Sequence, residues 1–421
     1  MALVEADVLG TELEKVRPTI PQMFDRECTF YSTIEKKNVE VVSARDMRIP
    51  LELSPGGSFG YVDIDGGDLG VAGGPKFDKA VISTLHLRHG VQWTKKAEWA
   101  TDDARKAVLN TVKHLLAKAM PQFRRDVDAI CMGAGDGVVA TITSKANAGG
   151  KDTYTCTTDG FGAKLVRVGQ KVNVYLAALN ALRDVGGSGT EVEIDQVDIP
   201  NKTIRVAATV TGSAATDKLL SSGLSGATPV GMYGVAYHHN NASTGSWLGF
   251  NRADYPQVRA NRVTASAYLS LPMPRLALNL IGDRLGFDQM PKVTAWMHPC
   301  QKQQYEELGQ LVSVIQKQAS AEALDLYFGD NMQMAGAGVK TSYLWDKKRI
   351  DFIYGNTWGR AVMKEADFYE VDGRKTFELR HVTTGGVVTS QIFYIVASFN
   401  LFVDNPGACS YISDLTVPTG Y

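Results

Sequence analysis

The sequence predicts an α+β protein, and three observations carry that prediction. Two stretches of period-two hydrophobicity flank a long glycine-rich segment near the N-terminal end. A run of apolar residues spaced by three or four then continues for about eight turns of helix. After it comes a block rich in Thr, Ser, Val and Gly with strand periodicity, followed by mixed segments to the end. At 421 residues the chain has length for two or three domains and a large buried core.

Taken in order, residues 1–37 read as a short arm and a helix with Met23, Phe24, Tyr31 and Ile34 as its apolar positions. From Arg45 the period becomes two. Met47, Ile49, Leu51 and Leu53 alternate with Arg48, Pro50 and Glu52, and later Leu85, Leu87, His89, Val91 and Trp93 alternate with His86, Arg88, Gly90 and Gln92. Between these strands lies SPGGSFGYVDIDGGDLGVAGGPKFDKA, rich in glycine and poor in core formers. A two-stranded ribbon with such a tip cannot bury enough apolar surface to be stable alone, so it needs a neighbour to lie on.

The helical run takes in Val108, Val112, Leu115, Leu116, Ala119, Phe123, Val127 and Ile130 and passes through Pro121, the place for a kink. Thr101, Asp102 and Asp103 suit its N-terminus, and Gly133 and Gly135 its end. Strands follow at Val168 to Tyr175, Glu191 to Ile199 and Thr203 to Val210. Then come a helical stretch over 264–286 interrupted by Pro272 and Pro274, a strand at Lys292 to Met297, a helix from Pro299 to Ile315 and a strand at Gln391 to Val403.

Composition excludes several classes. With 44 Lys+Arg against 45 Asp+Glu, the net charge of -1 is wrong for a chain that coats nucleic acid through bulk positive charge. No stretch is long and apolar enough for a transmembrane helix, and MALVEADVLGTELEK lacks the basic flank and apolar run of a signal peptide. The five cysteines, Cys28, Cys131, Cys156, Cys300 and Cys409, contain no CxxC pair and fit neither a disulfide framework nor a zinc knuckle.

Catalytic signals are absent as well. His238 and His239 invite a metal, but neighbours on a strand point to opposite faces and no HExxH accompanies them. Asp63, Asp65 and Asp68 resemble a calcium loop until Gly67 occupies the third ligand position. Gly133 to Gly137 follows a helix where a dinucleotide fingerprint must follow a strand. Neither a Walker sequence nor GxSxG is present.

The order of elements resembles the major capsid protein of tailed double-stranded DNA bacteriophages, the Hong Kong phage capsid fold. RDMRIPLELSPGGSFGYVDIDGGDLG looks like the family's extended loop, and the helix over 102–132, ending in DAICMGAGDG, is similar to its spine helix. WMHPCQKQQYEEL resembles part of its axial domain, and NLFVDNPGACSYISDL its last strand and Asn-Pro turn. The resemblance implies an arm and helix at 1–44, an extended β-hairpin loop at 45–92, a peripheral domain with the spine helix at 93–150, an inserted small β domain at 151–228, and an axial domain with returning peripheral strands at 229–421.

It also implies function: a structural protein of the virion, assembled in the host cytoplasm, that self-assembles as hexamers and pentamers into an icosahedral head shell around the phage genome. Its partners are then copies of itself, a portal protein, separate scaffolding or decoration proteins where these exist, and packaged double-stranded DNA held by weak non-specific contact. No catalytic residue, cofactor or metal is implied. The arm is too short for the large scaffolding region that some relatives cleave off. The expected intersubunit contact is the loop tip, with Asp63, Asp65, Asp68 and Lys76; Arg105, Lys106 and Lys113 on the long helix offer one basic partner surface. Lys76 and Lys79 lie near the tip, though nothing in the sequence shows the covalent crosslinks known in part of the family. Two other classes remain open: an encapsulin-like compartment shell, and a soluble hydrolase using His238, His239 or His298.

Overall fold

The computed structural model describes residues 29–37, 40–41, 46–61, 70–94, 105–157, 161–185, 191–224, 229–286, 288, 292–316, 333–380 and 387–418. The first element is a single helical turn, α1 (Phe30–Thr33). Strands β1 (Asp46–Ser54) and β2 (Lys76–Ser83) form an antiparallel hairpin whose register runs from Asp46 opposite Ser83 to Ser54 opposite Lys76. Glu40–Val41 adds a short third strand beside β1. Strand β3 (Leu85–Thr94) follows, then α2 (Arg105–Ile130), which runs through Pro121 and ends where Gly133 donates its N–H to the Ile130 carbonyl at 3.1 Å. Thr101, Asp102 and Asp103 lie outside the described residues.

Beyond α2 the chain builds a closed barrel. Its strands are β4 (Val138–Ala148), β5 (Lys151–Cys156), β6 (Lys171–Tyr175), β7 (Val192–Asp198), β8 (Thr203–Val206) and β9 (Lys218–Ser221), in the spatial order β8-β5-β4-β9-β6-β7. Alternation puts Val172, Val174, Ile194, Ile204, Val206 and Leu219 inside, all buried. Near one end, buried Asp152 accepts from Lys145 Nζ at 2.8 Å and from the Val210 N–H at 2.8 Å, while Arg183 forks onto Asp217 at 2.9 and 3.1 Å. The sequence reading grouped Val138–Ala148 with the helix; in the structure it is a barrel stave, paired with β5 and β9.

The chain enters and leaves the barrel at one point. Gly137, at φ +72°, lies so close to Gly231 that a Cβ on Gly231 would strike the Gly137 backbone, and Gly231 donates to the Gly135 carbonyl at 2.8 Å. Removing 138–230 and joining these two glycines is therefore expected to leave a folded chain that keeps its helical circular dichroism. Removing only 151–228 strands β4, with buried Val139, Ala140 and Ile142 unpaired, and should give an aggregating product.

The remainder follows α3 (Val235–His238) with β10 (Asn261–Thr264), α4 (Pro272–Leu285), β11 (Val293–Met297), α5 (Pro299–Gln316), β12 (Gln333–Met334), β13 (Ala337–Thr341), β14 (Ile350–Tyr354), β15 (Trp358–Phe368), β16 (Phe377–Arg380), β17 (Val387–Val403) and β18 (Ser410–Ser413). A six-stranded mixed sheet has the order β10-β18-β14-β11-β13-β12. Strand β14, IDFIY, is buried along its whole length, as expected of a strand covered on both faces, and its one charged residue, Asp351, is paired by Arg349, His239 and Trp345. In the second sheet the long β17 pairs with β3, β15 and β16. Among the described residues no helix is long and apolar enough to cross a membrane.

Residues 29–37 are fastened to this body. Asp128 of α2 accepts the N–H of Thr29 at 3.1 Å and of Tyr31 at 2.7 Å, capping the turn from a distant part of the chain. Phe30 sits among Trp296, Trp345 and Trp358, each edge-on at 5.3 to 5.5 Å. Burial pushes the Asp128 carboxyl above the usual carboxylate range, although the N–H donors pull the other way. Asp128→Asn keeps one of the two acceptor oxygens and turns an NH2 toward the other N–H, so it should cost less than removing the group altogether. Asp128→Ala leaves buried N–H groups without a partner, at about 1–3 kcal/mol for each. Urea titration of the two variants would separate these outcomes.

Candidate assembly surfaces

The hairpin β1–β2 changes character along its length. Its base is locked in place: Met47, Ala80 and Ile82 are buried against Trp247, Leu248, Phe250, Ala361 and Phe402, and the Val81 N–H bonds the Leu248 carbonyl at 2.9 Å. Its far half leaves the body. Along β2 the residues Lys76, Phe77, Asp78 and Lys79 are all exposed, and beyond the strands Phe59, Tyr61 and Val71 are 96% to 103% exposed. Gly56 and Gly57, with φ of +72° and +83°, turn the chain where β1 ends.

Of the expected contact residues, Lys76 opens β2 opposite Ser54 and is exposed. Asp63, Asp65 and Asp68 lie outside the described residues. Arg105, Lys106 and Lys113 all fall within α2, but their side chains are outside the described set. The aromatic residues of the arm were missed as contacts. Their signal was present in SFGY and KFD, apolar side chains set among glycines where no core can form. A second exposed feature is a shallow groove of about 360 Å³ at the start of α4, lined by Leu271, Pro272, Arg275, Leu276 and Asn279.

The histidines considered for catalysis are interior. His238 and His239 do not lie on a strand: His238 ends α3, and both are fully buried. His238 accepts from Trp247 Nε1 at 3.1 Å and its Nε2 faces the Leu401 carbonyl at 3.3 Å, which fixes a neutral ring with the proton on Nε2. Burial lowers its pKa to about 3. His239 pairs through Nδ1 with Asp351 at 2.7 Å. His298 accepts the Cys300 N–H at 3.1 Å and meets Lys164 Nζ at 2.6 Å; burial, then the charges of Lys164 and Lys347, lower it to about 3. Among the described residues no three His, Cys, Asp or Glu side chains cluster as a metal site.

No protein-family model and no curated protein matches the chain. Solved structures do. A chain of the cyanophage A-1(L) capsid asymmetric unit superposes with a TM-score of 0.55 at 12% identity, over 97% of this chain and 99% of that one. The chain has the phage major-capsid fold. The bacteriophage PhiM1 mature capsid (TM-score 0.47, 11% identity, 96% of this chain and 92% of that) and the capsid of a native GTA particle (0.45, 12%, 99% and 100%) also align along nearly their whole length. The helix α2 stands where the sequence predicts a long helix, but the hairpin differs from the predicted ribbon: its second strand is Lys76–Ser83, inside the segment read as a glycine-rich tip, while Leu85–Thr94, read as the strand on the far side of that tip, pairs with β17 in the second sheet.

Proposed function

We propose that the protein is a shell subunit that assembles with copies of itself, as hexamers and pentamers, into an icosahedral phage head enclosing double-stranded DNA. The observation that carries this reading is the arm: a hairpin whose base is built into the core and whose far half exposes Phe59, Tyr61, Val71 and Phe77 to water. Such an element gains stability only on a second surface, and repeated copies of one contact close a symmetric shell. Many modest contacts per subunit then act together. Near-zero net charge suits an inner wall that holds DNA weakly. A portal, scaffolding or decoration proteins and assembly in the host cytoplasm belong to the same proposal, as does the division into arm, extended loop, peripheral, inserted and axial parts.

Electron microscopy of the purified protein is the test. Closed particles are expected; a monomer or dimer under every assembly condition overturns the reading. DNA inside native particles supports the phage head, whereas enclosed enzymes would make it an encapsulin-like compartment.

Within this proposal the acidic tip adds an electrostatic contact. Replacing Asp63, Asp65 and Asp68 together by Asn should leave the subunit fold intact but make particles weaker and less salt-dependent, because each exposed ion pair contributes about 0–1 kcal/mol and every subunit repeats it. Triple-mutant shells that melt like the parent at low and high salt would remove the acidic contact from the scheme.

A further inference from the structure

The hairpin has strand edges as well as faces, and an exposed edge invites backbone pairing with the same edge of a second copy. In its three-stranded sheet β2 is the outer strand, and on the other side Glu40–Val41 covers β1 at Met47 and Arg48. Past that point Pro50 and Glu52 are exposed on one strand and Lys76 to Lys79 on the other. The Val81 N–H fixes which residues of β2 turn their backbone outward, because it bonds the Leu248 carbonyl of the body, away from β1. Alternation then turns Ser83, Lys79 and Phe77 outward too, with Pro75 at the next such position. Ser83 fits this phase: its carbonyl accepts from Asn400 Nδ2 at 2.7 Å. Across the ladder, Pro50 lies opposite Lys79 and Glu52 opposite Phe77, so these two face outward on β1.

The outward positions beyond the docked base are poor templates for a further strand. Pro50 and Pro75 have no N–H to donate. The Lys79 N–H is already taken by its own neighbour, Asp78, whose Oδ1 accepts it at 2.7 Å. Near the tip the register shifts between Glu52 and Ser54, a bulge that breaks the straight run of β1. Phe77 and Glu52 stay open, each beside a closed position.

Pairing β2 with β2 of a second copy meets an obstacle in both registers centred on this stretch. With Phe77 opposite the second copy's Lys79, Asp78 faces Asp78 at the close, non-hydrogen-bonded position, where like charges oppose pairing. With Phe77 opposite Phe77, Lys79 faces Pro75. We propose that Pro50, Pro75 and Asp78 are edge blocks, which keep the hairpin from pairing strand to strand with the hairpin of a second copy. The blocks act in the free subunit and do not depend on shells forming.

Two measurements on the unassembled full-length subunit test this. In the parent protein the Lys79 amide should exchange with deuterium about tenfold more slowly than the Phe77 amide, after correction for neighbouring side chains, because its bond must open first. Equal rates, a result that needs no variant, would overturn the Asp78 block. Pro50→Thr, Pro75→Thr and Asp78→Thr together change exposed residues, so the melting should match the parent. Under conditions that keep the parent unassembled, the concentration at which this triple variant forms strand-paired aggregates should be about tenfold or more below the parent's. Sedimentation and the intermolecular β-sheet band in the infrared amide I region read this, and electron microscopy separates such aggregates from closed particles. Lys79→Thr also removes one charge but keeps all three blocks, and should behave as the parent. A triple variant that stays dispersed like the parent, or a Lys79→Thr protein that aggregates like the triple variant, would overturn the proposal.

Discussion

Replacing Phe30 by alanine is expected to lower the unfolding free energy of the unassembled subunit by about 3–5 kcal/mol, the range for deleting a buried aromatic ring. The site makes the upper part of that range the better guide. Phe30 is 1% exposed and its ring meets three tryptophan edges, each such pair contributing about 0.5–1.5 kcal/mol beyond burial. The three indoles come from β11, β15 and the loop before β14, so the cavity cannot collapse without moving two sheets. Against a typical total of about 5–15 kcal/mol the loss decides whether the subunit stays folded. Phe30→Leu should recover part of it. A urea midpoint unchanged in Phe30→Ala would show that residues 29–37 do not dock here.

The second large effect falls on assembly and leaves the subunit alone. Changing Phe59, Tyr61 and Phe77 together to Ser removes no buried packing, since all three are exposed in the single chain. The melting of the unassembled subunit should therefore match the parent. Each ring covered by a neighbour stabilises the contact by roughly 1.5–3 kcal/mol, so losing three raises the critical concentration for shells by about a thousandfold or more. The ion pairs proposed for Asp63, Asp65 and Asp68, at about 0–1 kcal/mol each, would not compensate. Sedimentation of both proteins across a concentration series checks this; shells forming at the parent's threshold would place the aromatic rings outside the interface.

Much of the architecture was legible because period and length agreed. The strand Lys292 to Met297, the helix from Pro299 and the late strand around Gln391 to Val403 all appear within a few residues of their expected bounds. Short-range patterns were less secure. Val138–Ala148 follows a helix terminus across only the short segment 131–137, and its far half, Ser144 to Ala148, has nothing larger than alanine at its apolar positions to mark a barrel stave. The pair His238-His239 sits in a segment where a four-residue helix is set by tertiary contacts, the Gly234 backbone resting against the Cys131 carbonyl. The buried ion pair of His239 with Asp351 lay beyond local reading altogether, because the two residues meet only once the sheet that carries Asp351 is built. For the arm, sequence identified the glycines and acids; which aromatic rings stay uncovered is a property of the folded chain.

One consequence of the strand order concerns the ribosome. The barrel is complete once Ser221 has emerged, and its staves are near neighbours in sequence, so it can close early during synthesis. Neither large sheet can. Strand β17 lies between β3 on one side and β15 and β16 on the other, while β18 fills the place between β10 and β14. Until residues 387–413 are made, both sheets have a gap where a partner strand belongs, and Phe30 has no finished body to dock on. A nascent chain therefore carries a finished barrel on an unfinished scaffold, and a truncated translation product cannot pass as a building block.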